Sequence, residues 1–284
     1  MALYSLACGV VGVAGLLLAR GKIQGTTLVW PWAWTVAAIA AVTLCEAVIG
    51  VVDHAAGVGW APALRYAAAL VTLCPFISLL GARRPHDGAW QFIVGCFWLV
   101  FVLPAVTTVL AGRSQSLDLH AVWGWFLWLL ILGGAVNMLA TRSWLSAAAT
   151  AVAQALLLAP QLPPAGGELN ATGRGVALTL VAAAPLLAWI ACRRTDLNVA
   201  PWNRAWLDFR DLFGVAWSLR AMERFNTAAR LAGWDCNLGW FGFNAAAEDS
   251  AVVLHGPAQT AFVNVLRRFV SPKWLKERGI AEPT

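Results

Sequence analysis

Glu46, in the run TLCEAVIGVVDH (Thr43–His54), is a carboxylate inside an apolar segment and the first residue that could do chemistry. It lies six residues before Val52, where the run ends, or about 9 Å inside at 1.5 Å per residue. The next run opens near Ala61 and carries Arg65 four residues in, about 6 Å deep by the same rise. A short connection makes the two segments antiparallel neighbours, so opposite charges meet at similar depth. An ionised group at membrane depth costs about 2.5–3.5 kcal/mol on insertion scales and is found paired or beside water. The expectation is a structural ion pair between Glu46 and Arg65, with Asp53 on the same face as a second acceptor. The same three residues could instead form a proton or substrate site, or Glu46 could sit protonated and neutral.

The histidines are His54, His86, His120 and His255. None falls mid-run, which argues against a haem held between helices. His54 and His120 are expected on one face, beside Asp53 and Asp118, and are the candidate ligands of a haem or metal. His120 precedes the run WGWFLW (Trp123–Trp128). That juxtaposition resembles the haem-handling integral proteins of cytochrome c assembly. The resemblance is confined to this stretch. The family's motif has an aspartate after its tryptophans and lies in an external loop, whereas here the run continues into apolar sequence. No residue role is carried over from it, and no cofactor is assigned.

Six cysteines are scattered without a CxxC spacing and read as small hydrophobes rather than a disulfide or zinc framework. No phosphate-cradling glycine loop, HExxH, GxSxG or carboxylate pair in a polar cleft occurs, so no residue is offered as catalytic. Asn137 and Gln154 are polar groups inside apolar runs and are expected to make interhelical hydrogen bonds. Pro75, Pro104 and Pro185 are expected to kink their helices.

The elements that must position these residues follow from composition. The chain has 284 residues, 60% hydrophobic and only 12% charged, about half the charge of a soluble domain. Seven apolar segments stand out: Leu3–Ala19, Leu28–Val52, Ala61–Gly81, Trp90–Ala111, Ala121–Ala140, Trp144–Pro160 and Gly175–Cys192. Each has the length a helix needs to cross about 30 Å of hydrocarbon. Seventeen tryptophans against two tyrosines fit interfacial belts. The net charge of +6 sits at segment ends and in the C-terminal region, so it reads as membrane topology rather than nucleic-acid binding. Arg20, Lys22, Arg83, Arg84, Arg142, Arg193 and Arg194 fall on one side; Arg65, Arg113 and Arg174 fall on the other, with Asp53, Asp118 and Glu168. Basic residues mark the cytoplasmic face, so the N-terminus is expected outside.

The fold class expected is an all-α integral membrane protein, with seven transmembrane helices over residues 1–194 and a cytoplasmic tail over 195–284. In the tail, Trp202, Trp206, Phe209, Phe213 and Trp217 recur at helical spacing. This predicts an amphipathic helix whose stripe meets the lipid surface, a partner, or the rest of the tail. The leading functional expectation is an accessory or scaffold subunit of a membrane assembly, binding a partner or the membrane surface through residues 195–284. The alternatives are a small-molecule or proton-coupled transporter centred on Glu46 and Arg65, and a haem- or metal-handling protein using His54 and His120. The expected partners are the bilayer and other membrane or cytoplasmic subunits, not nucleic acid. The expected location is a bacterial inner membrane or its equivalent.

Overall fold

Backbone groups in hydrocarbon must be satisfied within their own segment, and the apolar runs form helices accordingly. They are α1 (Ala2–Ile23), α2 (Val29–Val52), α3 (Ala61–Val71), α4 (Cys74–Leu80), α5 (Asp87–Leu110), α6 (Ala121–Leu139), α7 (Trp144–Leu157) and α8 (Ala171–Arg193). The computed structural model describes residues 1–52, 59–111, 117, 119–164, 167, 169–193, 200–245, 254 and 256–280. Counting Ala61–Leu80 as one, six helices among the described residues are long and apolar enough to cross a membrane. The chain is therefore a helical, multi-pass membrane protein. α7 is shorter, with 14 residues or about 21 Å. Arg142, before it, pairs with Asp211 of the C-terminal region. Pro163, after it, accepts a hydrogen bond from Trp128 at 2.9 Å, in the first half of α6.

Small residues set how closely the rods approach. A side chain at Gly12 of α1 would meet Ile39 of α2 at 3.2 Å and the Ala182 backbone of α8 at 3.3 Å, so α1 lies tightly between its neighbours. Pro75 has no N–H to continue the helix of α3, and the chain breaks there, with Thr72 closing onto Ala69. The Thr72 carbonyl takes its hydrogen bond instead from the Gln154 amide of α7, at 2.7 Å. Pro104 and Pro185 lie inside continuous helices α5 and α8.

The C-terminal region is a folded cap. It comprises α9 (Pro201–Ala232), a hairpin of β1 (Cys236–Gly239) and β2 (Gly242–Ala245), α10 (Gly256–Leu266) and α11 (Pro272–Lys276). Its core gathers Trp206, Phe209, Phe213, Trp217, Phe225, Phe262, Phe269 and Trp274 around Leu28, Leu79 and Ala82 of the bundle. Phe269 stands edge-on to Phe209, Phe213 and Trp217, at 5.3, 5.3 and 5.0 Å. Backbone hydrogen bonds fasten the cap to the helix connections. Thr27 donates to Phe269 at 2.9 Å, Ser271 to Gly25 at 2.6 Å, and Arg84 to Arg268 at 2.9 Å. The Trp217 indole donates to Leu79 at 2.9 Å. The connections after α1, α4 and α6 therefore share one end of the bundle with the cap.

Two features depart from a single striped helix followed by turns. α9 is interrupted at Gly214, with φ 74° and ψ −173°, a conformation essentially reserved for glycine. The stretch after α9 is a hairpin turning at Trp240 and Phe241. A lone hairpin is marginal in water, and side chains of α9 complete this one. Asn226 exchanges hydrogen bonds with both backbone groups of Leu238, at 2.8 and 2.9 Å, and Asn203 accepts from Phe243 at 2.7 Å.

Candidate functional site: a cavity with a charged rim

Glu46 and Arg65 come together. Arg65 Nε donates to Glu46 Oε1 at 2.8 Å and Nη2 to Oε2 at 3.4 Å, with the glutamate side chain 6% exposed and the arginine 29%. The pair ties α2 to α3. Asp53 and His54 lie outside the described residues, so their expected roles are not placed. His120 acts as the N-cap of α6, its Nδ1 accepting from Val122 at 3.4 Å. Among the described residues no group of three or more His, Cys, Asp or Glu is arranged to hold a metal. The aromatic stripe of α9 is internal. Trp206, Phe209 and Phe213 are fully buried, Trp217 nearly so, and Trp202 packs at the margin of the same core. Of the readings open in the sequence, the geometry has that stripe packed on the rest of the chain.

The sequence does not single out the main concave feature. A half-open cavity of about 350 Å³ lies in the bundle, walled by residues of α1, α2, α4, α6, α7 and α8. Thr72 and Gln154 border it at the break before α4, and Asp211 and Leu212 of α9 close it at the cap. Its hydroxyls are turned to backbone carbonyls: Thr35 to Pro31 and Ser146 to Ala184 at 2.8 Å, Thr150 to Ser146 at 2.9 Å. The remaining wall is apolar, with Leu16, Ile39, Phe76, Ala147, Ala151 and Pro185. The volume falls within the range of small-molecule sites. Neither Glu46 nor Arg65 is part of its wall.

The cap end is charged. A small recess continues from the cavity between Lys22, Arg142, Cys192, Asp208, Asp211 and Arg278. Both carboxylates are engaged within the protein. Asp211 accepts from Arg210 Nη2 at 2.9 Å and lies 3.4 Å from Arg142 Nε; Asp208 accepts from Arg278 Nε at 2.7 Å. Burial pushes the Arg278 guanidinium down from its ordinary value while Asp208 opposes the shift, and it stays a cation at any physiological pH. Lys22 is exposed and has no ion-pair partner among the described residues.

Asn137, near the end of α6, completes this end of the cavity. Its Oδ1 accepts from the Ala216 amide at 2.9 Å, satisfying a donor that the break at Gly214 frees. That bond fixes which amide atom is oxygen and which nitrogen. Nδ2 is buried and has no partner among the described residues. The expected interhelical role of Asn137 is thus refined, since its partner lies in the cap. Chemically, the arrangement can hold an apolar body with an acceptor-rich end toward the cap. No protein-family model matches the chain, and neither a curated protein nor a solved structure matches it.

Proposed function

We propose that this polytopic protein is a membrane-embedded binding protein, of the carrier type, for a small amphipathic molecule. The observation carrying this reading is the cavity of about 350 Å³, apolar along its wall and charged at its cap end. The location among helices, with few convergent polar groups, is also that of ligand sites in bundles. In this reading α7 is a seventh crossing, and the cap end is cytoplasmic. Arg20, Lys22, Arg83, Arg84, Arg142 and Arg193 all belong to helix ends or connections at that end, where basic residues accumulate.

Filling the cavity tests the reading. Ala147→Trp places an indole in the wall without touching the rim. In detergent, it should displace a fluorescent apolar probe that the wild type binds, while the melting temperature holds or rises. Equal probe binding by both proteins would remove the cavity from consideration.

One observation favours a second reading, an accessory subunit that presents its cap to a partner. Leu231, at the end of α9, and Phe241, at the hairpin turn, are 85% and 84% exposed. Leu231→Ser with Phe241→Ser should then release a stoichiometric partner in a mild-detergent purification while changing stability by no more than about 1 kcal/mol, as two surface changes do. Identical co-purifying proteins would end this second reading.

A further inference from the structure

We propose that the cap end of the cavity is an anion-headgroup site, and that its ligand is a single-chain amphiphile ending in a carboxylate or phosphate. The inference rests on the cavity being a binding site and adds the chemistry of what it holds. Two observations point to it. Lys22 borders both the cavity and the charged recess and pairs with no carboxylate among the described residues. Around the recess Lys22, Arg142, Arg210 and Arg278 stand against Asp208 and Asp211, four positive charges to two negative, a net +2.

The acidic residues do not reverse this preference. Asp208 and Asp211 are held by Arg278, Arg210 and Arg142, so three arginines and Lys22 surround two carboxylates. A cationic head meets a net positive surround, whereas an anionic head adds to Lys22 and is drawn by the same charge. The wall beyond is mostly apolar, with the Thr35, Ser146 and Thr150 hydroxyls turned to carbonyls and Gln154 as a polar group at the far end. This fits one polar end and an apolar chain.

The test uses the full chain in digitonin, a detergent too bulky for the cavity, and reads displacement of the apolar probe. Dodecanoate and dodecyl phosphate should displace it from the wild type, dodecyltrimethylammonium at least about tenfold more weakly, a difference of about 1.4 kcal/mol. Lys22→Gln should weaken both anions about tenfold, and Lys22→Arg should retain them. A preference between dodecanoate and dodecyl phosphate in the wild type would say whether the natural head is carboxylate or phosphate. If the cationic amphiphile competes equally, or Lys22→Gln changes nothing, the headgroup site is overturned while the cavity reading stands. If no amphiphile displaces the probe, or the Ala147→Trp protein binds it unchanged, the cavity reading falls and this inference with it.

Discussion

Gly214→Ala should destabilise the protein by about 3 kcal/mol or more and loosen the cap from the bundle. Two costs combine. The backbone at φ 74° and ψ −173° is held by glycine alone without strain, and other residues incur about 1–3 kcal/mol there. The added Cβ would also press on the Asn137 amide and stand 2.6 Å from the Asn137 backbone oxygen. Overpacking of that kind costs about 1–3 kcal/mol.

The consequence reaches beyond α9. The break at Gly214 turns the chain so that Phe213 and Trp217 both face Phe269, and it exposes the Ala216 amide that Asn137 receives. A straightened helix would lose both, and Asp211 would shift from Arg142. The measurement is a thermal melt in detergent together with limited proteolysis of the cap. Shortening Asn137 in the same protein should not rescue it, because the obstructing oxygen is backbone. A loss below about 0.5 kcal/mol, the range of ordinary surface substitutions, would show that the break is incidental.

The spanning runs are legible in the sequence because hydrocarbon thickness and helical rise fix their length. The meeting of Glu46 and Arg65 is legible for the same reason, since depth in each run can be counted from its end. Pro75 announces its break through a missing N–H. The cavity is not legible. Its wall draws small and hydroxylated residues from six helices, and their rotation about their axes depends on packing that no single run encodes. Lys22 reads as a topology charge, and only its place beside the recess makes it a candidate ligand contact. The break at Gly214 is hidden because a lone glycine inside a helical pattern is usually tolerated. Its reason, Asn137, lies far off in sequence. The hairpin lacks an Asn-Gly or Asp-Gly turn signal, and the asparagines that complete it belong to α9.

Exchanging Glu46 and Arg65 separates a structural pair from a working site. Removing one partner of a buried ion pair costs about 3–5 kcal/mol, because the other charge is left without compensation. Here the lower end applies, since 29% of the Arg65 side chain is exposed and can reach water or the interface. Glu46→Arg alone places two cations between α2 and α3, and Arg65→Glu alone places two carboxylates there. Each should lose most of its folded, membrane-inserted protein. The double exchange restores opposite charges across the same α2–α3 contact and should recover at least half of the wild-type yield. Because neither residue borders the cavity, the recovered double variant should displace and bind the apolar probe as the wild type does. A double variant no better than either single would mean that the two charges act separately. Recovery of yield with loss of probe binding would instead couple this pair, at its remove from the cavity wall, to the site itself.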